Sequence, residues 1–487
     1  MNSLKEMMEG IDVLEVVGDW QREVGRPVID SRKIQPDSLF VAIHGTQTDG
    51  HKFIDNVIQN GARVVVCQRF PDVLHDDVTY IKVADTAYAS GIIAHNYFDK
   101  PSHQMHLIGV TGTNGKTTTV TMLHELIVAL GLKSGLISTV ECRIASKVIP
   151  ATHTTPDPVS LNNLLAEMAD SGCDYVFMEV SSHAIDQQRI SGLRFEGGVF
   201  TNITHDHLDY HGDFKHYLDT KKKFFDGLGA RAFALVNADD PRGEVMVQNT
   251  VAKVSKYSLR KMAEFKAKIL SNQLEGLHLR LDDVEMMSRL VGDFNAYNIL
   301  AVYSCAILLG LDRQEVITAL SGLPPVEGRF DLIRHPRSGK SAIVDYAHTP
   351  DALKKVLSTL QQLKEPGSKL IAVVGCGGDR DRAKRPRMAN LAATMADITI
   401  LTSDNPRTED PEEILEEMQK GIAKERSGQV FKITDRKEAI RAAVQFASDA
   451  DIILIAGKGH EKYQEIQGVK HPFDDKEIVR DALFKEI

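Results

Sequence analysis

No stretch of this 487-residue chain reaches the roughly 18 consecutive apolar residues that a membrane-spanning helix needs. The N-terminus, Met1-Asn2-Ser3-Leu4-Lys5-Glu6, opens with mixed charge and has no apolar core, so no secretory leader is expected. Cysteine is scarce: five residues, at 67, 142, 173, 305 and 376, with no CxxC spacing. That odd, scattered set argues against a disulfide framework and against a thiolate zinc site, and suits reduced thiols in the cytosol. Basic charge is not in excess either, because the formal net charge is -9. A nucleic-acid binder draws its affinity from Lys and Arg that neutralise phosphates. Nucleic acid is therefore not an expected partner, although local basic pockets for small anions stay compatible with this charge. Low-complexity tracts and internal repeats are missing. What remains is an ordinary globular composition, 43% hydrophobic and 26% charged. It predicts a cytoplasmic protein of about two to four domains, each with ample core.

The strongest local signal is Gly109-Val110-Thr111-Gly112-Thr113-Asn114-Gly115-Lys116-Thr117-Thr118-Thr119. It follows an apolar run, Leu107-Ile108, and precedes a helical pattern from Val120 to Leu130 with a stop at Gly131. Strand, glycine-rich turn, Lys-Thr and helix together make a phosphate cradle. Glycines let backbone N–H groups approach phosphate oxygens, the helix N-terminus adds partial positive charge, Lys116 adds a full one, and Thr117 can hold Mg²⁺. The strict pattern wants Gly at 110, where this chain has Val, with a Gly one place earlier.

The pattern divides into three α/β units. Residues 1–105 carry short strands (38–43 and 63–67) and one or two helices, and end in a turn-rich joint at 99–102. Residues 106–330 hold the phosphate loop and buried strands at 175–180 and 198–203. Residues 331–487 alternate strands (342–344, 370–374, 398–401, 452–455) with helices such as 351–363 and 411–424. This alternation predicts a doubly wound, Rossmann-like, mostly parallel sheet that binds ligands at its strand carboxyl ends. The polar residues after those strands are Asp345-Tyr346-Ala347-His348, Gly375 to Arg380, Ser403 to Arg407 and Gly457 to Glu461.

In the central unit Glu179 ends a buried strand and suits a magnesium-linked carboxylate, or else a loop cap. His205-Asp206-His207-Leu208-Asp209-Tyr210-His211-Gly212-Asp213 is dense in His and Asp. His207 and His211 stand at the i, i+4 spacing of a zinc helix. Gly212 and the oxygen-rich surroundings favour instead a turn that serves a second magnesium or a substrate. In Lys221-Lys222-Lys223, the last two read as a solvated helix face.

Several motifs in one order resemble the Mur ligases, ATP-dependent amide-forming enzymes of bacterial peptidoglycan synthesis. They are Gly112 to Thr118, Met178 to His183, Asn202 to Gly212, Gly292 to Asn298, Gly328-Arg329-Phe330 and Asp345 to Pro350. Within the family, His153 to Pro158 and Asp404-Asn405-Pro406-Arg407 look like the branch that adds the third peptide residue. The resemblance implies an N-terminal unit for a UDP-sugar, a central ATP-binding unit and a C-terminal unit for the incoming amino acid. It implies catalytic roles for Lys116, Glu179, His207 and Lys221. Gly112, Thr113, Asn114, Gly115, Lys116, Thr117 and Thr118 would hold ATP, with Asn298, Arg329, Asp345 and His348 around the nucleotide. Thr117, Glu179, His207 and Lys221, the last as a carbamate, would hold Mg²⁺. Carbamylation turns a cationic side chain into an anionic oxygen donor, which suits a hard cation. Ser31, Thr46, Gln47, Thr48, Thr154, Thr155, Ser181, Gln187 and Arg189 match positions for UDP-MurNAc-L-Ala-D-Glu. Position 153 is His where relatives can carry Asn. Arg380, Asp404, Asn405, Pro406, Arg407, Gly457 and Glu461 match the amino-acid site.

The implied amino acid is meso-diaminopimelate, which differs from lysine by a distal carboxylate. An arginine fork rewards that group and is left unpaired by lysine. Such a site can reject the analogue by roughly 10⁴-fold. Arg407 would supply the fork, and Glu461 suits the distal ammonium. The implied reaction activates the D-glutamyl carboxylate as an acyl phosphate, which the amine then attacks. A monomer is expected. Rival readings are a sibling ligase that adds lysine or polyglutamylates folate, a nucleotide-dependent regulator without catalysis, and a simple kinase.

Overall fold

The computed structural model describes residues 2–45, 48–151 and 153–484. It contains three principal sheets in chain order. The first has five strands between Val13 and Val83, in the order Val13–Val17, Thr79–Val83, Val64–Cys67, Leu39–Val41, Pro27–Val28. Its buried strand Val64–Cys67 is wholly apolar, as a strand covered on both faces must be.

The central sheet has eleven strands. Its parallel middle runs Ser134–Ile137, Tyr175–Glu179, His106–Thr111, Gly197–Phe200, Phe233–Asn237, Lys253–Ser258. All these strands point the same way, so Thr111, Glu179, Phe200 and Asn237 end at one edge. The phosphate loop leaves that edge and enters the helix Lys116–Ala129, packed on one face by Leu123, Leu126 and Ile127. The sheet continues beyond the expectation into an antiparallel meander, Phe265–Gln273, Gly276–Leu281 and Val284–Ser288. The helix Asp293–Leu308 is apolar nearly all round because this meander and the helix Lys116–Ala129 enclose it.

The C-terminal sheet has six strands. Five are parallel, in the order Ser341–Asp345, Ile452–Ala456, Leu370–Cys376, Ile398–Ser403, Val430–Lys432. Asp331–Arg334 pairs antiparallel at the edge. Strand order reverses between Leu370–Cys376 and Ile452–Ala456, and a crevice opens at the carboxyl ends on either side of such a switch point. There Cys376-Gly377 and Gly457 leave the sheet. The helix Pro350–Leu363 starts where expected, with Thr349 accepting from the Ala352 N–H and Pro350 in its first turn. The helix from Pro411 stops at Gln419, short of the expected 424, and Lys424–Gln429 is a separate 3₁₀ turn. The lysine run corrects one expectation: Lys222 is buried and pairs with Asp226 at 2.7 Å, and only Lys223 faces solvent.

Candidate active site

Gly112 and Gly115 both take positive φ, +148° and +90°. A Cβ on Gly112 would collide with the Thr201 hydroxyl, so only glycine allows this loop to lie against the next strand. Gly109 has another job. It sits in the strand, and a Cβ there would come within 2.5 Å of the Phe224 ring. That explains the displaced glycine: position 109 is a packing contact, and Val110 is core. The loop turns back so that Lys116 Nζ donates to the Gly112 and Thr113 carbonyls, both at 2.9 Å. Burial holds the Lys116 ammonium below its ordinary pKa, against the pull of Glu179 and Asp206.

Glu179 is 1% exposed. Its Oε1 accepts from Thr117 Oγ1 at 2.9 Å and from the Thr139 N–H at 2.8 Å. Thr117 Oγ1 also accepts from Arg329 Nη2 at 3.0 Å. Magnesium takes one or two protein oxygens and completes its shell with water and substrate phosphate. The Thr117 hydroxyl and Glu179 carboxylate, at the helix start beside the loop, fit that demand. Among the described residues no three His, Cys, Asp or Glu side chains converge as a closed metal cage.

His207 has φ +53° and begins a single helical turn, Leu208–His211, closed by Gly212 at φ +77°. The segment is thus neither a long zinc helix nor a plain loop. His211 points inward, with Nε2 3.0 Å from Ser182 Oγ. His207 faces the cleft, and burial lowers its pKa, so the ring is neutral at pH 7. Lys221 is 1% exposed. Its Nζ donates to the Gly112 carbonyl at 3.0 Å and lies 4.9 Å from the Tyr217 ring centroid. Burial and the nearby Lys116 charge push it well below its ordinary pKa of 10.5. Burial thus disfavours the charged amine, which is the direction that carbamylation by CO₂ requires.

One wall runs outward from Glu179. Thr155 Oγ1 donates to the Glu179 carbonyl at 2.7 Å, and Thr139 Oγ1 to Thr154 Oγ1 at 3.1 Å. Ser181 Oγ accepts from the Ala184 N–H at 3.2 Å, capping the helix Ser182–Asp186. Arg189 donates to the Thr155 carbonyl at 2.7 Å and grips Gln187 Oε1 through two nitrogens. This interlock fixes a cationic fork in the cleft that the phosphate loop also lines.

The opposite wall comes from the C-terminal unit. Asp345 is buried, accepts from the Phe330 and Ala347 N–H groups at 2.7 and 2.8 Å, and is raised in pKa by burial. His348 Nδ1 bonds the Tyr346 carbonyl at 2.8 Å, so that nitrogen carries the proton; burial lowers the ring pKa to about 4. Arg329 lies 4.3 Å above the Tyr346 ring. Farther along, Arg407 adopts φ +52°, rare for a side chain this large. Two backbone hydrogen bonds hold it there: Arg407 N–H to the Glu465 carbonyl at 3.0 Å, and Gln467 N–H to the Arg407 carbonyl at 2.6 Å. The helix-start surface arginine that its neighbours would suggest is not what forms. The side chain is 21% exposed, donates to the Gly378 carbonyl at 2.8 Å and lines the cleft. Pro406 precedes it, its carbonyl close against Gly378. Gly457, at φ +119°, leaves no room for a Cβ beside the Asp404 carboxylate.

Both walls share one cleft of about 1600 Å³. It is lined by Thr113 to Thr118, Thr154, Thr155, Glu179, Ser181, Arg189, His207 and Lys221. Asn298, Arg329, Asp345, His348, Arg380, Arg407 and Glu461 complete the lining. Gly112, Gln187, Asp404, Asn405, Pro406 and Gly457 stand behind it as supports. Ser31, in the turn Ser31–Lys33, and Thr48 lie on the N-terminal unit and do not line this cleft. Thr46 and Gln47 lie outside the described residues. Sequence reasoning missed Asp351, whose Oδ2 accepts from Asn114 Nδ2 at 3.1 Å and Thr204 Oγ1 at 3.3 Å. It ties the C-terminal unit to the phosphate loop, and its only signal was a place in the first turn of a capped helix.

The architecture is that of a three-domain, nucleotide-cleft ligase, and comparison with known proteins agrees. Residues 28–101 match the model for the Mur ligase family catalytic domain, 110–306 the Mur ligase middle domain, and 328–459 the Mur ligase glutamate ligase domain. The chain belongs to the Mur ligase family. It is 53% identical, over 99% of its own length and 100% of the relative's, to the UDP-N-acetylmuramoyl-L-alanyl-D-glutamate–2,6-diaminopimelate ligase of Phocaeicola vulgatus. It is also 53% identical to the ligase of that name from Cytophaga hutchinsonii, over 99% of each chain. A solved structure of such a ligase superposes with a TM-score of 0.70 at 34% identity, covering 100% of this chain and 99% of the other. The MurF ligase of Thermotoga maritima in complex with ADP shares the fold, with a TM-score of 0.63 at 18% identity over 95% and 98% of the two chains.

Proposed function

We propose that this enzyme joins meso-2,6-diaminopimelate to the D-glutamate of UDP-MurNAc-L-Ala-D-Glu at the expense of ATP, in peptidoglycan precursor synthesis. The observation that carries this reading is a single cleft lined both by a phosphate loop and by a forked arginine and a carboxylate, Arg407 and Glu461. The near full-length identity to diaminopimelate ligases supports it.

The chemical difficulty is bringing the D-glutamyl carboxylate to the γ-phosphate, anion to anion. Lys116 and the loop N–H groups lower that repulsion and stabilise the charge that spreads over the transferring phosphoryl group. Arg189, fixed by Gln187 and the Thr155 carbonyl, orients the incoming peptide carboxylate. Thr117 and Glu179 would hold Mg²⁺, with His207 and a carbamylated Lys221 near a second ion. When bound, the metal supplies neutralising charge at the phosphate oxygens. A carboxylate oxygen attacks the γ-phosphorus, the bond from that phosphorus to the ADP oxygen breaks, and the first step yields an acyl phosphate and ADP. The amine of diaminopimelate, held by Arg407 and Glu461, attacks its acyl carbon and phosphate leaves. Asp351 against Asn114 keeps the two walls together and limits water at the acyl phosphate. The N-terminal unit, with Ser31 and Thr46 to Thr48, would hold the UDP portion.

The test is ATP-dependent phosphate release with UDP-MurNAc-L-Ala-D-Glu, with diaminopimelate compared against L-lysine and the product weighed by mass spectrometry. Turnover with diaminopimelate alone is expected. Turnover with lysine alone overturns the amino-acid assignment, and turnover with neither overturns the reaction.

A further inference from the structure

Directly after Gly457, Lys458 is wholly buried, at 0% exposure. A lysine is rarely buried without a purpose, because its ammonium must then be paired and hydrogen-bonded. Here Nζ donates to Asn405 Oδ1 at 2.9 Å and to Glu461 Oε2 at 3.2 Å. Asn405 closes the triangle, its Nδ2 donating to the same Glu461 oxygen at 2.7 Å. Asn405 Oδ1 also accepts the Glu465 N–H at 2.9 Å.

Each contact fixes an orientation. If the Asn405 amide rotated by half a turn, its NH₂ would face the Lys458 ammonium and the Glu465 N–H, donor against donor, and its oxygen would face a carboxylate. Lys458 therefore sets which way Asn405 points. Both donors converge on Oε2 of Glu461, so Oε1 is the oxygen left for a ligand in the cleft that Glu461 lines. The surrounding charges agree. Arg436 and Asp475 form a fully buried bidentate pair, at 2.8 Å for each bond. Asp404 lies between that arginine and Lys458, whose charges outweigh burial and keep its carboxyl below the ordinary range. Two cations against three carboxylates leave one uncompensated negative charge, and Glu461 is the member of the group that opens to the cleft.

We propose that Lys458 is a positioning residue for amino-acid selection, holding Asn405 and Glu461 as one preset acceptor for the ammonium at the distal end of the incoming amino acid. This deepens the proposed function and rests on it. The lysine acts through Asn405 and Glu461 and does not touch the reacting atoms. Its loss should weaken recognition of the amino acid and leave the nucleotide and peptide ends of the cleft alone.

Lys458→Met removes the charge and both hydrogen bonds at similar volume, and Lys458→Gln keeps a donor. Steady-state phosphate release gives KM for diaminopimelate, ATP and UDP-MurNAc-L-Ala-D-Glu in the full-length enzyme. For Lys458→Met a rise of about tenfold or more in the diaminopimelate KM is expected, with the other two within about threefold. Lys458→Gln should recover part of that loss. An unchanged diaminopimelate KM, or an equal rise for all three substrates, overturns the proposal. So does failure of both variants to fold, which would mark the lysine as a core stabiliser. The wild-type enzyme is the control that separates the two readings: no wild-type turnover on diaminopimelate sinks the proposed function itself, whatever the variants do.

Discussion

Removing the fork at position 407 asks the sharpest question of the cleft. In Arg407→Ala the backbone should keep its course, because the Glu465 carbonyl and Gln467 N–H that hold it bond to main-chain atoms. The guanidinium carries five N–H donors. One is spent on the Gly378 carbonyl at 2.8 Å, and Nε lies 3.7 Å from the Glu465 carboxylate. At least two donors are left to meet a ligand carboxylate. Hydrogen bonds to charged groups contribute about 1.5–3 kcal/mol each. Two would contribute about 3–6 kcal/mol, and a side chain still 21% exposed belongs at the lower end. A loss of about 3 kcal/mol lowers kcat/KM for diaminopimelate by roughly 10²-fold. L-Lysine, which lacks the distal carboxylate, should change by less than about threefold, so the preference between the two collapses. Arg407→Lys keeps the charge without the fork and should fall between. The assay is phosphate release under kcat/KM conditions with each amino acid in turn. Equal losses with both amino acids, or no loss with diaminopimelate, would refute the reasoning, since either would mean that the fork does not read the distal end.

Lys116→Ala should lower ATP-dependent ligation by about 10³-fold or more while leaving the melting temperature close to wild type, because the lysine bonds only carbonyls of its own loop; ligation at near wild-type rate would exclude the phosphate-loop assignment. Arg436→Met strands the buried Asp475 carboxylate and should cost about 3–5 kcal/mol, whereas Arg436→Met with Asp475→Leu should recover most of it. The single tryptophan, Trp20, lies in the N-terminal unit, so hydrogen exchange of the strand Ile452–Ala456 and helix Asp475–Phe484 is the suitable readout. For pH, Glu409 falls from the usual 4.5 to about 2 because Arg385 bonds it. A depressed carboxyl pKa contributes stability that is complete above 4.5 and is lost as pH falls toward 2. Acid unfolding of the C-terminal unit should therefore steepen between pH 4.5 and 2, and Arg385→Met should flatten that segment; an unaltered acid limb would show the pair to be energetically silent.

What could be read in the chain, and what could not, follows from the range over which each signal acts. The phosphate loop was legible because strand, turn and helix start are contiguous, and Gly112 and Gly115 are demanded by local backbone geometry. The parallel strands of the C-terminal unit were legible as apolar runs for the same reason. The antiparallel meander at 265–288 was not, since its half-exposed strands mix Lys, Asn and Glu into the alternation. Lys222 misled because a run of like charge reads as solvated, and only the packing of the helix Phe214–Asp226 reveals that its stem is buried while its ammonium pairs with Asp226 one turn on. Arg407 shows the limit most clearly. Taken with Glu409-Asp410-Pro411 alone it is a surface arginine at a helix start, and Asp410 does cap that helix. What turns the side chain into the cleft is the hairpin 463–472, more than fifty residues later, whose backbone clamps position 407 in a left-handed conformation. Lys458 belongs to the same class: in sequence a polar residue between two glycines, in space the partner of Asn405 from another strand end. The phosphate loop is written in consecutive residues and the amino-acid end of the cleft in pairings between distant ones, so substitutions that retune amino-acid choice should cluster at 403–408 and 457–467 and spare the loop at 112–118.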